Sequence, residues 1–179
     1  MAYKKILVAI DRSSQAEAVF KHALDLAEKE QSTLMLVHCL NWEPQEMMTP
    51  YVGLGTIADV DLYGSLRKVQ QENFQKHLEE NKGWLRNYAQ EANDHGIPAE
   101  VSCQLADPSV GICDLAQKWG ADLIVIGRRG LGGLKEIVLG SVSNYVVHHA
   151  PCSVLVVQGV ATPSIELSTT ANPVTTDTK

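Results

Sequence analysis

Residues 122–143 read DLIVIGRRGLGGLKEIVLGSVS, and this stretch decides how the chain is interpreted. Its apolar start, 122–126, is typical of a strand buried on both faces of a parallel sheet. Glycines follow at positions 127, 130, 132, 133 and 140, and a helical pattern then covers Ser141–His149. Because glycine has no Cβ, such a segment lets backbone N–H groups come close to a ligand. A strand, a glycine-rich segment and a helix in this order indicate an α/β fold with a candidate binding site.

The alternation of strand and helix continues on both sides of this stretch. Further strands are predicted at 4–10, Thr33–Leu40, Ala99–Leu105 and Ser153–Val157. Helices are predicted over about 14–30, about 65–93, Pro108–Trp119 and Ser141–His149. Such alternation favours a parallel sheet with right-handed crossovers and helices on both faces. The sequence therefore predicts a single doubly wound α/β domain over residues 1–158, with a five-stranded parallel sheet.

Three segments carry more specific expectations. Ser14 and Glu17 have the spacing of a capping box, which predicts the start of the first helix. Residues 41–64 contain two prolines and three glycines, and a loop of this length is usually functional or mobile. Residues 159–179 are rich in threonine, serine and proline, and we expect a disordered polar tail.

Composition and charge limit the class of partner. The 179 residues carry a formal net charge of −6, whereas nucleic-acid binders usually present a basic face. No stretch approaches the roughly 18 apolar residues of a membrane span, and the N-terminal apolar run is too short for a signal peptide. The four cysteines show no C-x-x-C pair and no zinc spacing, which favours reduced thiols. We therefore expect a cytoplasmic protein without nucleic-acid or membrane partners.

The start of the last predicted helix has the features of an anion site. The first N–H groups of a helix have no partner within it and favour negative charge. The hydroxyls of Ser141 and Ser143 can add donors there. Neither a G-x-x-x-x-G-K-[ST] phosphate loop nor a G-x-G-x-x-G sequence after the first strand is present. From the residues alone, a tight turn that needs glycine only for packing stays open as an alternative.

A family resemblance follows from the glycine spacing and its surroundings. The pattern is Gly127-x2-Gly130-x9-Gly140-Ser141, with the apolar run 122–126 before it and APCSVLVV at 150–157 after it. The first strand, with Asp11 at its end, and the segment 36–38 add to the pattern. Over about residues 3–158 the chain resembles the ATP-binding branch of the universal stress protein family. The resemblance implies the strand order 3-2-1-4-5, with strands one and four adjacent at the switch point.

The resemblance also implies a role for each residue of an adenine-nucleotide site. Asp11 would hydrogen-bond the ribose hydroxyls, although its residue type also fits a turn or a helix cap. The adenine would be bordered by Ala9, Cys39 and Ile126. The phosphates would be surrounded by Gly127, Gly130, Gly140, Ser141, Val142 and Ser143. Cys39 has two other interpretations, as a redox-sensitive thiol or as a small packing residue.

Some details of this site stay open. Ala106 precedes Asp107 and Pro108 where the family often has glycine, which leaves the geometry of that turn undetermined. Arg128 and Arg129 either contact a phosphate or are solvated. No metal site formed by the protein is predicted, and magnesium would arrive bound to the phosphate oxygens of the nucleotide.

The sequence therefore predicts a stress-response regulatory protein that binds ATP, ADP or AMP and acts as a homodimer. We expect dimerisation through Ser153–Val157, an apolar edge strand, and the resemblance suggests antiparallel pairing with its twin. No paired carboxylates and no nucleophile–base set are identifiable, so no catalytic residue is predicted. A slow ATPase, or a dimeric interaction module whose pocket holds another adenylate, are the alternatives.

Overall fold

Five parallel strands form one sheet in a computed structural model that describes residues 3–40, 58–128 and 139–158. The strands are β1 (Lys5–Ala9), β2 (Thr33–Leu40), β3 (Ala99–Leu105), β4 (Leu123–Gly127) and β5 (Ser153–Val157). They lie in the order β3-β2-β1-β4-β5, so the predicted fold class and strand order are confirmed. The chain adds strands in one direction from β1 to β3 and in the other direction from β4 to β5. The order reverses between β1 and β4, which makes this the switch point of the sheet.

Helices cover both faces of the sheet in the described part of the chain. They are α1 (Ala16–Glu30), α2 (Ala58–Asp94), α3 (Pro108–Trp119) and α4 (Ser141–His149). Ile6 and Val8 of β1 pack in the same cluster as α1 and α2, whereas Leu7 and Ala9 pack with α3 and α4. This alternation arises because successive Cβ atoms of a strand point to opposite faces. In the central strands β1 and β4 both faces are buried, which explains why their sequences are almost continuously apolar.

The ends of α3 show how local sequence sets a helix boundary. The carboxylate of Asp107 accepts hydrogen bonds from the N–H groups of Ser109 and Val110, at 2.9 and 3.3 Å. Pro108 follows at the start of the helix, where its missing N–H removes no intrahelical bond. Gly120 ends the helix with φ 73°, a left-handed conformation that is open to glycine. The predicted bounds Pro108–Trp119 are confirmed.

The start of α1 differs from the prediction. The N-cap residue is Gln15 and no side chain caps it, so the predicted capping box of Ser14 and Glu17 is wrong. Asp11 Oδ1 instead accepts from the N–H of Ser13 at 3.1 Å, and Ser13 Oγ accepts from the N–H of Gln15 at 3.3 Å. These local bonds move the helix start along the chain. Glu17 becomes the second helical residue, one position short of the third position that a capping box requires.

Helix α2 begins earlier than predicted. It spans Ala58–Asp94, so the loop prediction for 41–64 is wrong over residues 58–64. Gly64 is a loop signal in the sequence, but one glycine inside a helix costs only about 1 kcal/mol relative to alanine. Residues 41–57 and the predicted tail 159–179 lie outside the described residues. Within the described ranges, none of the helices combines the length and apolarity that a membrane span needs.

Candidate functional site

The carboxyl ends of β1 and β4 lie side by side at the switch point. Ala9 is the register partner of Ile126 in β4 and of Val37 in β2. After β1, the N–H of Ile10 donates to the Val37 carbonyl at 3.0 Å, and His38 Nδ1 donates to the Ile10 carbonyl at 2.9 Å. Two of the predicted adenine-bordering residues, Ala9 and Ile126, are therefore neighbours on the face that carries α3 and α4.

Asp11 lies just beyond the end of β1 and is half-buried. Its Oδ1 accepts the hydrogen bond from the Ser13 N–H, so the residue forms the turn that its type suggested. This bond holds the carboxylate at the carboxyl edge of the sheet. A carboxylate has about four acceptor positions, so one backbone donor leaves it able to accept others.

Cys39 packs closely against the start of α3. A Cβ placed on Gly111 would lie 3.2 Å from Cys39 Sγ and 3.0 Å from Ala106 Cβ, so the glycine permits this approach of helix and strand. Burial, with smaller contributions from Cys103 and Asp107, raises the pKa of the Cys39 thiol to about 12. Because the thiolate is the reactive form, this geometry favours the packing interpretation over a redox-sensitive thiol.

The turn at Ala106, where the family often has glycine, needs no glycine here. Among the described residues, Gln31 is the one non-glycine residue with a positive φ, so Ala106 has an ordinary backbone conformation. Its methyl group occupies the space next to Gly111. The turn then leads into the Asp107 cap of α3.

The two ends of the glycine-rich segment are in contact. Gly127 is the last residue of β4 and the register partner of Val157 in β5. The N–H of Arg128 donates to the Val157 carbonyl at 2.8 Å, and the N–H of Gly140 donates to the Arg128 carbonyl at 2.9 Å. Gly127 and Gly140 thus both lie at the carboxyl end of β4. Gly130 and Arg129 fall outside the described residues.

Helix α4 begins at this contact without a side-chain cap. Gly140 is its N-cap residue, with φ −61° and ψ 157°. The N–H groups of Ser141, Val142 and Ser143 occupy the first three helical positions, where no acceptor exists within the helix. Ser141 is exposed, whereas the Ser143 side chain is buried and directed at backbone carbonyls. The arrangement offers backbone donors to an anion at the carboxyl end of β4.

Sequence reasoning missed a cluster that joins the β1 exit to α2. Arg12 Nε donates to Asn81 Oδ1 at 2.9 Å, and the Arg12 guanidinium lies over the ring of Trp84. His38 meets the same indole edge-on, with ring centroids 5.4 Å apart. Asn81 falls on the apolar stripe of α2, one helical turn from Leu85. A polar residue at a core position was the signal that could have pointed to this cluster.

Metal-binding side chains do not cluster in the described ranges. There, no group of three or more His, Cys, Asp and Glu residues could hold a metal ion.

Fold and site together define a doubly wound α/β domain whose candidate ligand site lies at the β1–β4 switch point. A family model described as the universal stress protein family matches residues 2–158, and the chain belongs to this family. A universal stress protein of Synechocystis is 39% identical over 160 residues, which cover 88% of this chain and 99% of the relative. The resemblance to the universal stress protein family that the glycine pattern indicated is confirmed.

Solved structures of universal stress proteins share the fold. The protein from Lactobacillus plantarum is 26% identical with a TM-score of 0.69, over 88% of this chain and 99% of that one. A protein from Archaeoglobus fulgidus, in complex with dAMP, is 24% identical with a TM-score of 0.54, over 87% and 98%. One from Arabidopsis thaliana, with AMP bound, is 20% identical with a TM-score of 0.55, over 90% and 97%. At 24% and 20% identity, the likeness of the Archaeoglobus and Arabidopsis proteins to this chain is one of fold.

Proposed function

We propose that the chain binds an adenine nucleotide at the β1–β4 switch point and acts as a regulatory protein in the stress response. The observation that carries the proposal is the start of α4. There a glycine N-cap leaves the first helical amides without a side-chain cap, directly beside the end of β4. Such a site favours an anion through both its N–H donors and the helix dipole.

The adenosine part of the ligand would lie along the end of β1. Asp11 is assigned to the ribose hydroxyls, because its carboxylate is held at the sheet edge with acceptor positions to spare. The border of the adenine is assigned to the apolar residues that share the α3–α4 face: Ala9, Cys39 and Ile126. An apolar surface with a few convergent polar groups is the usual form of a small-molecule site.

The phosphates would lie at the start of α4. We assign their surroundings to Gly127, Gly130, Gly140, Ser141, Val142 and Ser143. Charge-assisted hydrogen bonds contribute about 1.5–3 kcal/mol each. Four or five of them, less the cost of association, support micromolar affinity, about −8 kcal/mol. Magnesium would accompany ATP or ADP, bound by the phosphate oxygens.

Relatives support an adenylate as the ligand class. The Archaeoglobus protein binds dAMP and the Arabidopsis protein has AMP bound, both on this fold. We base the proposed regulatory role on membership of the universal stress protein family, since no catalytic group is predicted. We also propose that the protein is cytoplasmic, because all four cysteines are unpaired, as reduced thiols in the cytoplasm would be.

We also propose that the protein is a homodimer through β5. This strand pairs with β4 on one side and ends the sheet on the other within the described residues. Its Leu155 lies on the face of the sheet that carries α1 and is 37% exposed. An apolar edge strand is open to pairing with a second copy, and an antiparallel arrangement would cover both copies.

The proposed ligand can be tested on protein purified without added nucleotide. Mass spectrometry of the material released by denaturation should detect an adenylate, and calorimetry should give micromolar binding of ATP or AMP but not of GTP. Gly140→Val should greatly weaken AMP binding and keep the fold, because valine readily adopts the extended backbone of Gly140. Gly83→Ala, in α2, is the control that should keep wild-type affinity. Absence of adenylate binding to the wild type would refute the proposal.

A further inference from the structure

The hydroxyl of Ser143 joins the two ends of the glycine-rich segment. Ser143 Oγ lies 2.9 Å from the Arg128 carbonyl oxygen and 3.0 Å from the Gly140 carbonyl oxygen. The N–H of Gly140 also donates to the Arg128 carbonyl, at 2.9 Å. The Arg128 carbonyl therefore accepts from the Gly140 N–H and from the Ser143 hydroxyl, whose single proton it shares with the Gly140 carbonyl. We call Arg128, Gly140 and Ser143 the clasp.

The clasp connects three elements of the fold at one residue. The N–H of Arg128 is bonded to the Val157 carbonyl at the end of β5, and its carbonyl is bonded to the first turn of α4. Residues 129–139 lie between these bonded ends in the sequence. The helix start is therefore tied to the sheet edge by hydrogen bonds, in addition to the packing of its apolar face.

Burial limits what the Ser143 hydroxyl can do. The residue is 3% exposed, so its hydroxyl is shielded from solvent and satisfied by backbone carbonyls. A hydroxyl has a single proton to donate, and that proton is directed at these two oxygens. A ligand phosphate could receive it only if the clasp opened.

We propose that Ser143 is a positioning residue, which holds the start of α4 against β4 so that its backbone donors meet the ligand in a fixed place. Because the Gly140 N–H is already bonded within the clasp, the donors left for an anion are the N–H groups of Ser141, Val142 and Ser143, with the Ser141 hydroxyl. The ligand part of this inference rests on the proposed function. The clasp consists only of hydrogen bonds within the chain, so the two can fail separately.

The clasp is tested first on the ligand-free protein by amide hydrogen exchange at Gly140. Ser143→Ala should speed this exchange about fivefold, the effect of losing one ordinary hydrogen bond. Ser141→Ala is the matched control, since Ser141 is exposed, and it should leave the Gly140 exchange rate unchanged. Ser143→Thr retains the hydroxyl and should restore slow exchange. An unchanged rate in Ser143→Ala would overturn the proposal.

Calorimetry with AMP and adenosine separates positioning from direct contact. Ser143→Ala should weaken AMP binding about fivefold and leave adenosine binding unchanged, in parallel with the faster Gly140 exchange. Ser141→Ala should weaken AMP binding with no change in exchange. Weaker AMP binding by Ser143→Ala with wild-type exchange would mean that the hydroxyl contacts the ligand directly, which also overturns the proposal. If the wild type binds neither ligand, the proposed function fails and the exchange data alone decide the clasp.

Discussion

The guanidinium carbon of Arg12 lies 5.1 Å from the centroid of the Trp84 ring. Arg12 directly follows Asp11, and its Nε donates to the buried Asn81. The pair therefore links α2 to the turn that contains Asp11, the residue proposed to bind the ribose. Trp84 in turn contacts His38 and Tyr88 edge-on. The end of β1 is held from both sides, by β2 through backbone bonds and by α2 through this pair.

Removal of the Arg12 side chain should destabilise the fold. In Arg12→Ala the oxygen of Asn81, a residue only 6% exposed, loses its donor, and Trp84 loses its cation. We expect the free energy of unfolding to fall by about 1–3 kcal/mol, measured by urea denaturation. Arg86→Ala is the control, because Arg86 is exposed and pairs with Glu79 at 3.8 Å on the surface. Equal stability of the two variants would contradict the role assigned to Arg12.

Two glycine-to-alanine changes inside helices should have opposite signs. Gly111→Ala should destabilise by about 1–3 kcal/mol, because its Cβ would press on Cys39 Sγ and Ala106 Cβ. Gly83→Ala should stabilise by about 0.5–1 kcal/mol, because nothing lies within 4 Å of its Cβ and alanine is the better helix former. Urea denaturation of both variants measures the difference. A Gly111→Ala variant as stable as the wild type, or more stable, would show that α3 does not approach β2 as closely as described.

The Cys39 thiol should make stability depend on alkaline pH. Its pKa is about 12 in the folded protein, against about 8.5 in an unfolded chain. Below the thiol pKa of the unfolded chain, Cys39 is protonated in both states, and its contribution to the free energy of unfolding is fully present. Between these values the unfolded chain ionises first, so stability falls by up to about 1.4 kcal/mol per pH unit. Cys39→Ala should show a shallower loss than the wild type above pH 8.5, and identical slopes would contradict this assignment.

The β5 edge should control the oligomeric state. Leu155→Lys places a charge beside the proposed contact between the two β5 strands and should convert the proposed dimer into a monomer, as measured by light scattering. Leu105→Lys is the matched control, because Leu105 ends β3 at the opposite edge and is 52% exposed. A wild-type monomer at micromolar concentration, or a dimer lost only in Leu105→Lys, would count against pairing through β5.

The sequence predicts much of the fold because its signals are local. The bounds of β2, β3, β5, α3 and α4 agree with the prediction. Proline precedes β3 and begins α3, and glycine ends α3 and precedes α4. The predicted β1 is one residue too long at each end, and β4 lies one residue later than predicted. The loop prediction was wrong over 58–64 because the helix propensity of the residues around Gly64 outweighs the cost of a single glycine.

The sequence predicts where the candidate site residues lie relative to the strands, but it does not predict how they are bonded. The strand order and the glycine spacing place Asp11 and Gly140–Ser143 near the carboxyl ends of β1 and β4. The role of the Ser143 hydroxyl was not predictable, because it depends on the Arg128 carbonyl 15 residues away. Likewise Arg12 and Asn81 are 69 positions apart, and no local pattern links them.

The most direct measurement is the response of individual backbone amides to ligand. In ¹⁵N-labelled protein, AMP should shift the N–H resonances of Ser141, Val142 and Ser143 strongly, whereas adenosine, which lacks the phosphate, should leave them nearly unchanged. Both ligands should shift resonances near Asp11. If AMP binds but these three amides do not respond, the phosphate is not held at the start of α4 and the account is wrong.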